Sequence, residues 1–298
     1  MKSLRTEQEI IKNWKGDIFN PLVSICCITY NHEKYIEDAL EGFLIQETDF
    51  PFEILIYDDA STDRTANIIR EYEALCPTLI KPIYQKENQY SQGKKPNPEF
   101  NFPRAKGKYV ALCEGDDYWT DRHKLLKQIR FLEDNPEFVI AYHDCQPFNC
   151  SGKLDIDFGG AKKDLDKLDI QKATPIYTLT ACFRSVIKTF PPEHYTARYG
   201  DKFIWSLLGD YGKGKYMPEI QPAMYRIHKK GVHSLATKRQ RLYFSISTYS
   251  ALFAYHSRVD NKKIADYFAN KIFIASIRYL GISNILKLFI NLIFKKFR

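Results

Sequence analysis

The sequence predicts an α/β fold built on a mostly parallel sheet with helices on both faces, and three features predict it. Apolar runs rich in β-branched residues at 22–29, 52–57 and 109–113 read as buried parallel strands. Between them, apolar residues recur at helical spacing. Two of the runs end in acid clusters, Asp58-Asp59 and Glu114-Gly115-Asp116-Asp117, and ligands of open α/β sheets bind outside the carboxyl ends of strands.

Element by element, residues 22–29 form the first strand, and Asn31 reads as the N-cap of a helix burying Ile36, Ala39, Leu40, Phe43 and Leu44. Residues 52–57 are the second strand. Residues 61–75 are the second helix, capped by Ser61 or Asp63 and burying Ile68, Tyr72 and Leu75. A third strand at 79–84 contains Pro82, which places it near an edge. Residues 85–108 carry Pro96, Pro98 and Pro103 and read as a long, partly mobile loop. A strand at 109–113 precedes a helix at 121–135, which buries Leu125, Ile129 and Leu132 and is stopped by Pro136; 139–142 is again a strand. Beyond Gly152 the pattern loosens into a charged surface stretch at 153–173, a short helix at 201–211 and a strand at 223–228. After Ala236, Tyr, Phe, Ile and Leu recur at helical spacing.

At 298 residues and 44% hydrophobic content the chain can bury a large core in one or two domains. Its seven cysteines include no Cys-x-x-Cys pair, and with no secretory leader this points to a reducing cytoplasm and to thiols that act as small buried apolar groups. The net charge of +8 is unevenly placed: residues 236–298 hold 12 Lys and Arg against Asp260 and Asp266, while the rest of the chain is at −2. A nearly neutral body excludes a nucleic-acid binder, which would spread basic groups over its main domain.

Each acid cluster has two readings. Three carboxylates around a glycine repel one another unless a cation or donor groups sit among them. Gly115 allows the tight turn that gathers Glu114, Asp116 and Asp117, and such hard oxygen ligands suit Mg²⁺ or Mn²⁺. The alternative is an acidic turn capping the next helix. Asp58, at its strand end, can accept hydrogen bonds from a base or ribose; the alternative there is helix capping by Ser61 and Asp63.

In order and spacing, Thr29-Tyr30-Asn31-His32, Asp58-Asp59-Ala60-Ser61-Thr62-Asp63, and Gly107-Lys108-Tyr109 leading into Glu114-Gly115-Asp116-Asp117-Tyr118-Trp119 resemble the family-2 glycosyltransferases, over residues 21–234. The resemblance implies a GT-A fold and an inverting transfer of a sugar from a nucleotide diphosphate donor, assisted by a divalent cation (Mn²⁺ or Mg²⁺). Where the family has Asp-x-Asp, this chain has Glu114-x-Asp116. Carried over, Thr29, Tyr30 and Asn31 line the nucleoside pocket and Asp58 bonds the base. Asp116 is the principal metal ligand, Asp117 shares that task or fixes neighbouring geometry, and Glu114 faces the ribose or a metal-bound water. Arg104 and Lys108 lie where a cation could meet the diphosphate, with solvated charges as the alternative.

The family's second half supplies an acidic base at the start of a helix, and Gly200-Asp201-Lys202 fits that pattern. Asp201 is therefore expected to take the proton from the acceptor hydroxyl; an N-cap aspartate is the alternative and Asp210 a rival. The segment from Tyr225 to Ser234 resembles one whose histidine approaches the metal or diphosphate, which implies His228 as a metal ligand or a phosphate contact, His233 as a bystander and Arg226 as a structural ion-pair partner. The expected organisation is an N-terminal extension at 1–20, a glycosyltransferase domain at 21–235 (donor half 21–150, acceptor half 151–235) and a basic amphipathic helical tail at 236–298.

Within that tail, residues 282–298 put Ile285, Phe289, Ile293 and Phe297 on one helical face with Lys287 and Lys295 largely opposite. The run is shorter than the roughly 20 residues a spanning helix needs. The expectation is a helix lying in an anionic membrane surface; packing on the protein's own core is the alternative. The resulting expectation is a cytoplasmic enzyme, peripheral on the inner face of the membrane, acting on a lipid-linked glycan for a surface polysaccharide or lipopolysaccharide. Two rivals are a sugar-nucleotide pyrophosphorylase, which would need a glycine-rich loop after the first strand where Asn31-His32-Glu33 stands, and a catalytically silent nucleotide-sugar-binding subunit.

Overall fold

A computed structural model describes residues 5–229, 231 and 236–281. In chain order the elements are α1 Glu7–Ile11, β1 Val23–Thr29, α2 Ile36–Leu44, β2 Phe52–Asp58, α3 Thr65–Leu75, β3 Ile80–Tyr84, β4 Tyr109–Leu112, α4 Lys124–Asp134 and β5 Phe138–Tyr142. They continue through β6 Cys145–Asn149, β7 Gly152–Lys153, α5 Lys167–Gln171, β8 Cys182–Arg184, α6 Gly200–Leu208, β9 Lys213–Tyr216, β10 Ala223–Arg226, α7 Lys238–Arg258 and α8 Lys262–Leu280. The chain divides into two compact units, Met1–Phe190 with Leu207–Ile227, and Pro191–Ser206 with His228–Arg298.

The first unit is a seven-stranded sheet in the order β3-β2-β1-β4-β8-β5-β9, with a small second sheet β10-β6-β7. Only β8 runs antiparallel in the large sheet, between β4 and β5. Strands β1, β2 and β4 are buried almost throughout, as near-continuous apolar runs require. Ile25, Ile54, Tyr109 and Ala111 meet Leu40 and Phe43 of α2, Ile69 of α3 and Leu125 and Ile129 of α4 in one core. Each of the Ile, Leu and Phe side chains among them contributes about 1.5–3 kcal/mol on burial. β3 is the edge strand that Pro82 indicated. The N-terminal segment packs on this unit: Ile10 joins its core, and the Glu7 carboxylate accepts the N–H groups of Thr78 and Leu79 at 2.7 and 3.1 Å.

Three local expectations are corrected. Asn31 does not cap α2; the N-cap is Tyr35, and the His32 carbonyl accepts from the Tyr35 and Ile36 N–H groups. Helix α3 starts at Thr65 rather than Ser61, so its inward face is Ile68, Ile69 and Tyr72, and Leu75 is 65% exposed. The 85–108 stretch is folded into short turns at Tyr90–Gln92, Asn97–Asn101 and Phe102–Arg104. Fully buried Asn101 ties it down by donating Nδ2 to the Cys27 carbonyl at 3.2 Å.

In the second unit α7 and α8 form an antiparallel pair, with Leu252, Ile264 and Phe268 buried. His256 stacks on Phe268, and its Nε2 lies 2.9 Å from the Ser206 hydroxyl. Arg258 pairs with Glu193 through two contacts of 2.6 and 3.0 Å, fixing the turn at Pro192–Thr196. Among the described residues no helix is long and apolar enough to cross a membrane. The expectations for 282–298 and His233 fall outside the described residues.

Candidate donor and metal site

Register brings the ends of β1, β2 and β4 together. Thr29 pairs with Asp58 across β1 and β2, and β4 runs alongside Val23 to Cys26. Past the end of β4 the Gly115 N–H still donates to the Ile28 carbonyl at 3.0 Å, so the acid turn lies against the end of β1. A Cβ on Gly115 would stand 2.8 Å from the Thr29 hydroxyl and 2.9 Å from Ile36, so only glycine allows this approach.

At the β2 end the two acids do different work. Asp58 is buried and accepts from the Ser61 hydroxyl and, at 3.2 Å, from the Ser61 N–H. Burial raises its carboxyl pKa, and the Ser61 bonds oppose that shift. Asp59 accepts instead from the Gln89 and Tyr90 N–H groups at 2.7 and 3.0 Å and from the Tyr57 hydroxyl at 3.1 Å, holding the 85–108 segment at the strand end. Ala60 between them sits at φ 62, a left-handed conformation that costs a side-chain-bearing residue about 1–2 kcal/mol. Asn31, at φ 56, crosses to this turn: its Oδ1 accepts the Thr62 N–H at 2.8 Å and its N–H donates to the Ser61 hydroxyl at 2.9 Å. Thr29 is buried beneath, whereas Tyr30 is exposed.

At the β4 end, burial first and then the charges of Asp116 and Glu114 push the Asp117 carboxyl well above the usual range. One Asp117 oxygen accepts the Arg226 N–H at 2.7 Å. Arg226 also donates Nε to the Asp116 carbonyl at 2.8 Å and pairs with Asp38 at 2.5 Å. Its guanidinium lies 4.7 Å from the Tyr35 ring and 4.5 Å from the Phe148 ring. Asp117 thus ties the acid turn to the end of β10.

His32 Nε2 stands 3.6 Å from Asp116 Oδ2. That is too long for a hydrogen bond, and it suits two ligands of one ion, since atoms each about 2.1 Å from a cation lie about 3 to 4 Å apart. A carboxylate with an imidazole is a donor set Mn²⁺ accepts. These residues therefore fit a divalent cation. His32 stood in the quoted motif without a role; its signal was a histidine three residues past a strand end, beside an acid turn.

The expectation for Arg104 is corrected. Its guanidinium donates to the Lys81 and Ile56 carbonyls at 2.7 and 3.0 Å and to Asn101 Oδ1 at 2.9 Å, a structural tie rather than a diphosphate contact. Lys108 pairs with Glu133 at 2.7 Å, and Asp210 accepts from Gln171 at 2.6 Å. Glu114 is half-buried in the acid turn. Asp201 lies in the first turn of α6, its Oδ1 accepting the Lys202 N–H at 2.8 Å. Asp201 and His228 both belong to the second unit, where the Gly231 N–H donates to the His228 carbonyl at 3.2 Å.

Residues 24–190 match the family model "Glycosyl transferase family 2". An uncharacterized protein of Mycobacterium tuberculosis is 35% identical over 230 residues, covering 74% of this chain and 63% of that protein. The chain thus spans less than two thirds of that relative's length. The UDP-Glc:alpha-D-GlcNAc-diphosphoundecaprenol beta-1,3-glucosyltransferase WfaP of Escherichia coli is 36% identical over 117 residues, 39% of this chain and 43% of its own. Among solved structures, the mannosyltransferase PcManGT of Pyrobaculum calidifontis, in complex with GDP-Man and Mn²⁺, superposes with a TM-score of 0.56 at 16% identity, covering 94% of this chain and 82% of its own. The mostly parallel sheet with its flanking helices is the GT-A fold expected from the sequence.

Proposed function

The chain belongs to glycosyl transferase family 2, and from that premise we propose an inverting enzyme that moves a sugar from a nucleoside diphosphate to a hydroxyl of a lipid-linked glycan. The reading places it in surface polysaccharide or lipopolysaccharide synthesis, peripheral on the cytoplasmic face of the membrane. The observation that carries it is the meeting of Asp58, His32 and Asp116 at the carboxyl ends of three adjacent parallel strands. WfaP's name, with its UDP-glucose donor and diphosphoundecaprenol acceptor, supports the substrate class, and the GDP-Man and Mn²⁺ of PcManGT support donor and cation.

In this reading Asp58 accepts a hydrogen bond from the base, with Thr29, Tyr30 and Asn31 around the nucleoside and Glu114 toward the ribose. Asp116 and His32 would hold the cation together with His228, the ligand the family resemblance implies, and Asp117 positions the turn that carries Asp116. Bound there, Mn²⁺ or Mg²⁺ supplies positive charge against the departing diphosphate. Asp201 accepts the proton of the acceptor hydroxyl as its oxygen bonds the anomeric carbon and the bond to the diphosphate breaks on the opposite face, which inverts that centre.

A panel of nucleotide sugars with Mn²⁺, read by thermal stabilisation and slow hydrolysis, identifies the donor. Asp201→Asn is expected to lower transfer about 10³-fold while donor affinity stays within about twofold of wild type. Stabilisation by no donor, or equal loss of binding and transfer in the variant, overturns the proposal.

A further inference from the structure

The α7–α8 hairpin is polarised along its length. Arg239 near the start of α7 stacks on Tyr279 near the end of α8, 4.8 Å from the ring, so the first turn of one helix meets the last turns of the other. At this end lie Lys238, Arg239, Arg241 and Arg278, all exposed, and among the described residues of the two helices no acid. The two acids of the hairpin, Asp260 and Asp266, lie at its opposite end, by the turn that joins the helices. The C-terminal half of α8, which leads to this cationic end, carries apolar groups in water: Phe273, Ile274 and Leu280 are 66%, 45% and 41% exposed.

We propose that the cationic end of this hairpin docks on an anionic lipid surface. The charge complements phospholipid headgroups, and each Lys or Arg near such a surface strengthens binding about fivefold. Ile274 and Leu280 decide between polyanions: a nucleic acid gives exposed aliphatic side chains nothing to enter, whereas a headgroup layer lets them, with Phe273, reach the acyl boundary. The proposal rests on the lipid-linked acceptor reading and deepens it by naming what holds the enzyme at its acceptor.

The test is flotation of the full-length protein with vesicles of neutral phosphatidylcholine, with and without about one third phosphatidylglycerol. Binding is expected only to the anionic vesicles. Lys238→Glu with Arg241→Glu should weaken it by at least about 25-fold, and Phe273→Ser with Ile274→Ser by about 10-fold. Lys262→Glu with Lys263→Glu makes the same change in net charge at the other end and should leave binding within about twofold. Equal loss from both charge-reversed pairs, equal binding to neutral vesicles, or no loss in the Phe273/Ile274 variant overturns the proposal. So does a concentration-dependent dimer in light scattering that the Phe273/Ile274 variant abolishes, which would make a second copy the occupant. Donor hydrolysis in solution, measured on the same variants, should match wild type; its absence in every variant and in wild type speaks against the glycosyltransferase reading and leaves the vesicle result standing.

Discussion

The acids at the ends of β2 and β4 look alike in sequence and behave differently in the fold. Asp58 and Asp59 direct their oxygens at hydroxyl and N–H donors of their own and neighbouring loops. At the β4 end three carboxylates crowd one short turn, and the charges of Asp116 and Glu114 help burial to raise Asp117. The first pair ties loops to the strand end; the second concentrates negative charge. A cation lowers the energy of the second arrangement and does little for the first.

The sharpest break of this contrast is Asp116→Asn, expected to lower sugar transfer by at least about 10³-fold with the melting temperature essentially unchanged. Near-normal turnover would remove the metal role. Next, His32→Ala should weaken Mn²⁺ binding by about 10–100-fold in calorimetric titration, and unchanged affinity would place the ion elsewhere. Asp59→Ala should leave Mn²⁺ affinity alone, raise the donor KM by about 10-fold and speed hydrogen exchange at Gln89 and Tyr90. A loss of metal affinity there would erase the division of labour.

The smallest effect is on pH dependence. Because the folded Asp117 pKa is raised, its contribution to stability is full below the usual value near 3.8 and is lost as pH rises through the folded value. In urea unfolding with a chelator, Asp117→Asn should therefore gain stability over wild type as pH rises from acid toward neutral, changing the slope that carboxyls held low, such as Asp121 and Glu133, set in the opposite sense. An unchanged slope would mean that the crowding at β4 has no energetic consequence.

Much of this was legible because periodicity reports burial. The apolar runs became β1, β2 and β4, and Pro82 marked the edge because it has no N–H to give a further strand. What stayed hidden depends on partners distant in sequence. The antiparallel β8 has three residues, too few for a period, and exists through pairing with Ala111 and Ala141. Asn31 looked like a cap because its side chain can bond any nearby N–H; the fold offers Thr62 rather than its own helix. Arg104 looked like a phosphate ligand because a charge in a loop carries no sign of the carbonyls that will surround it. Asp117 and Arg226 are 109 residues apart, and nothing local links them.

The Arg226 bridge also sets a schedule. Its bond to Asp38 joins positions 188 residues apart, so the acid turn acquires its final geometry only after most of the chain has left the ribosome. At typical synthesis speeds that interval is roughly 10 to 40 s. Until Arg226 has been made, the Asp117 carboxylate lacks the N–H, and the Asp116 carbonyl the guanidinium, that tie the turn to β10.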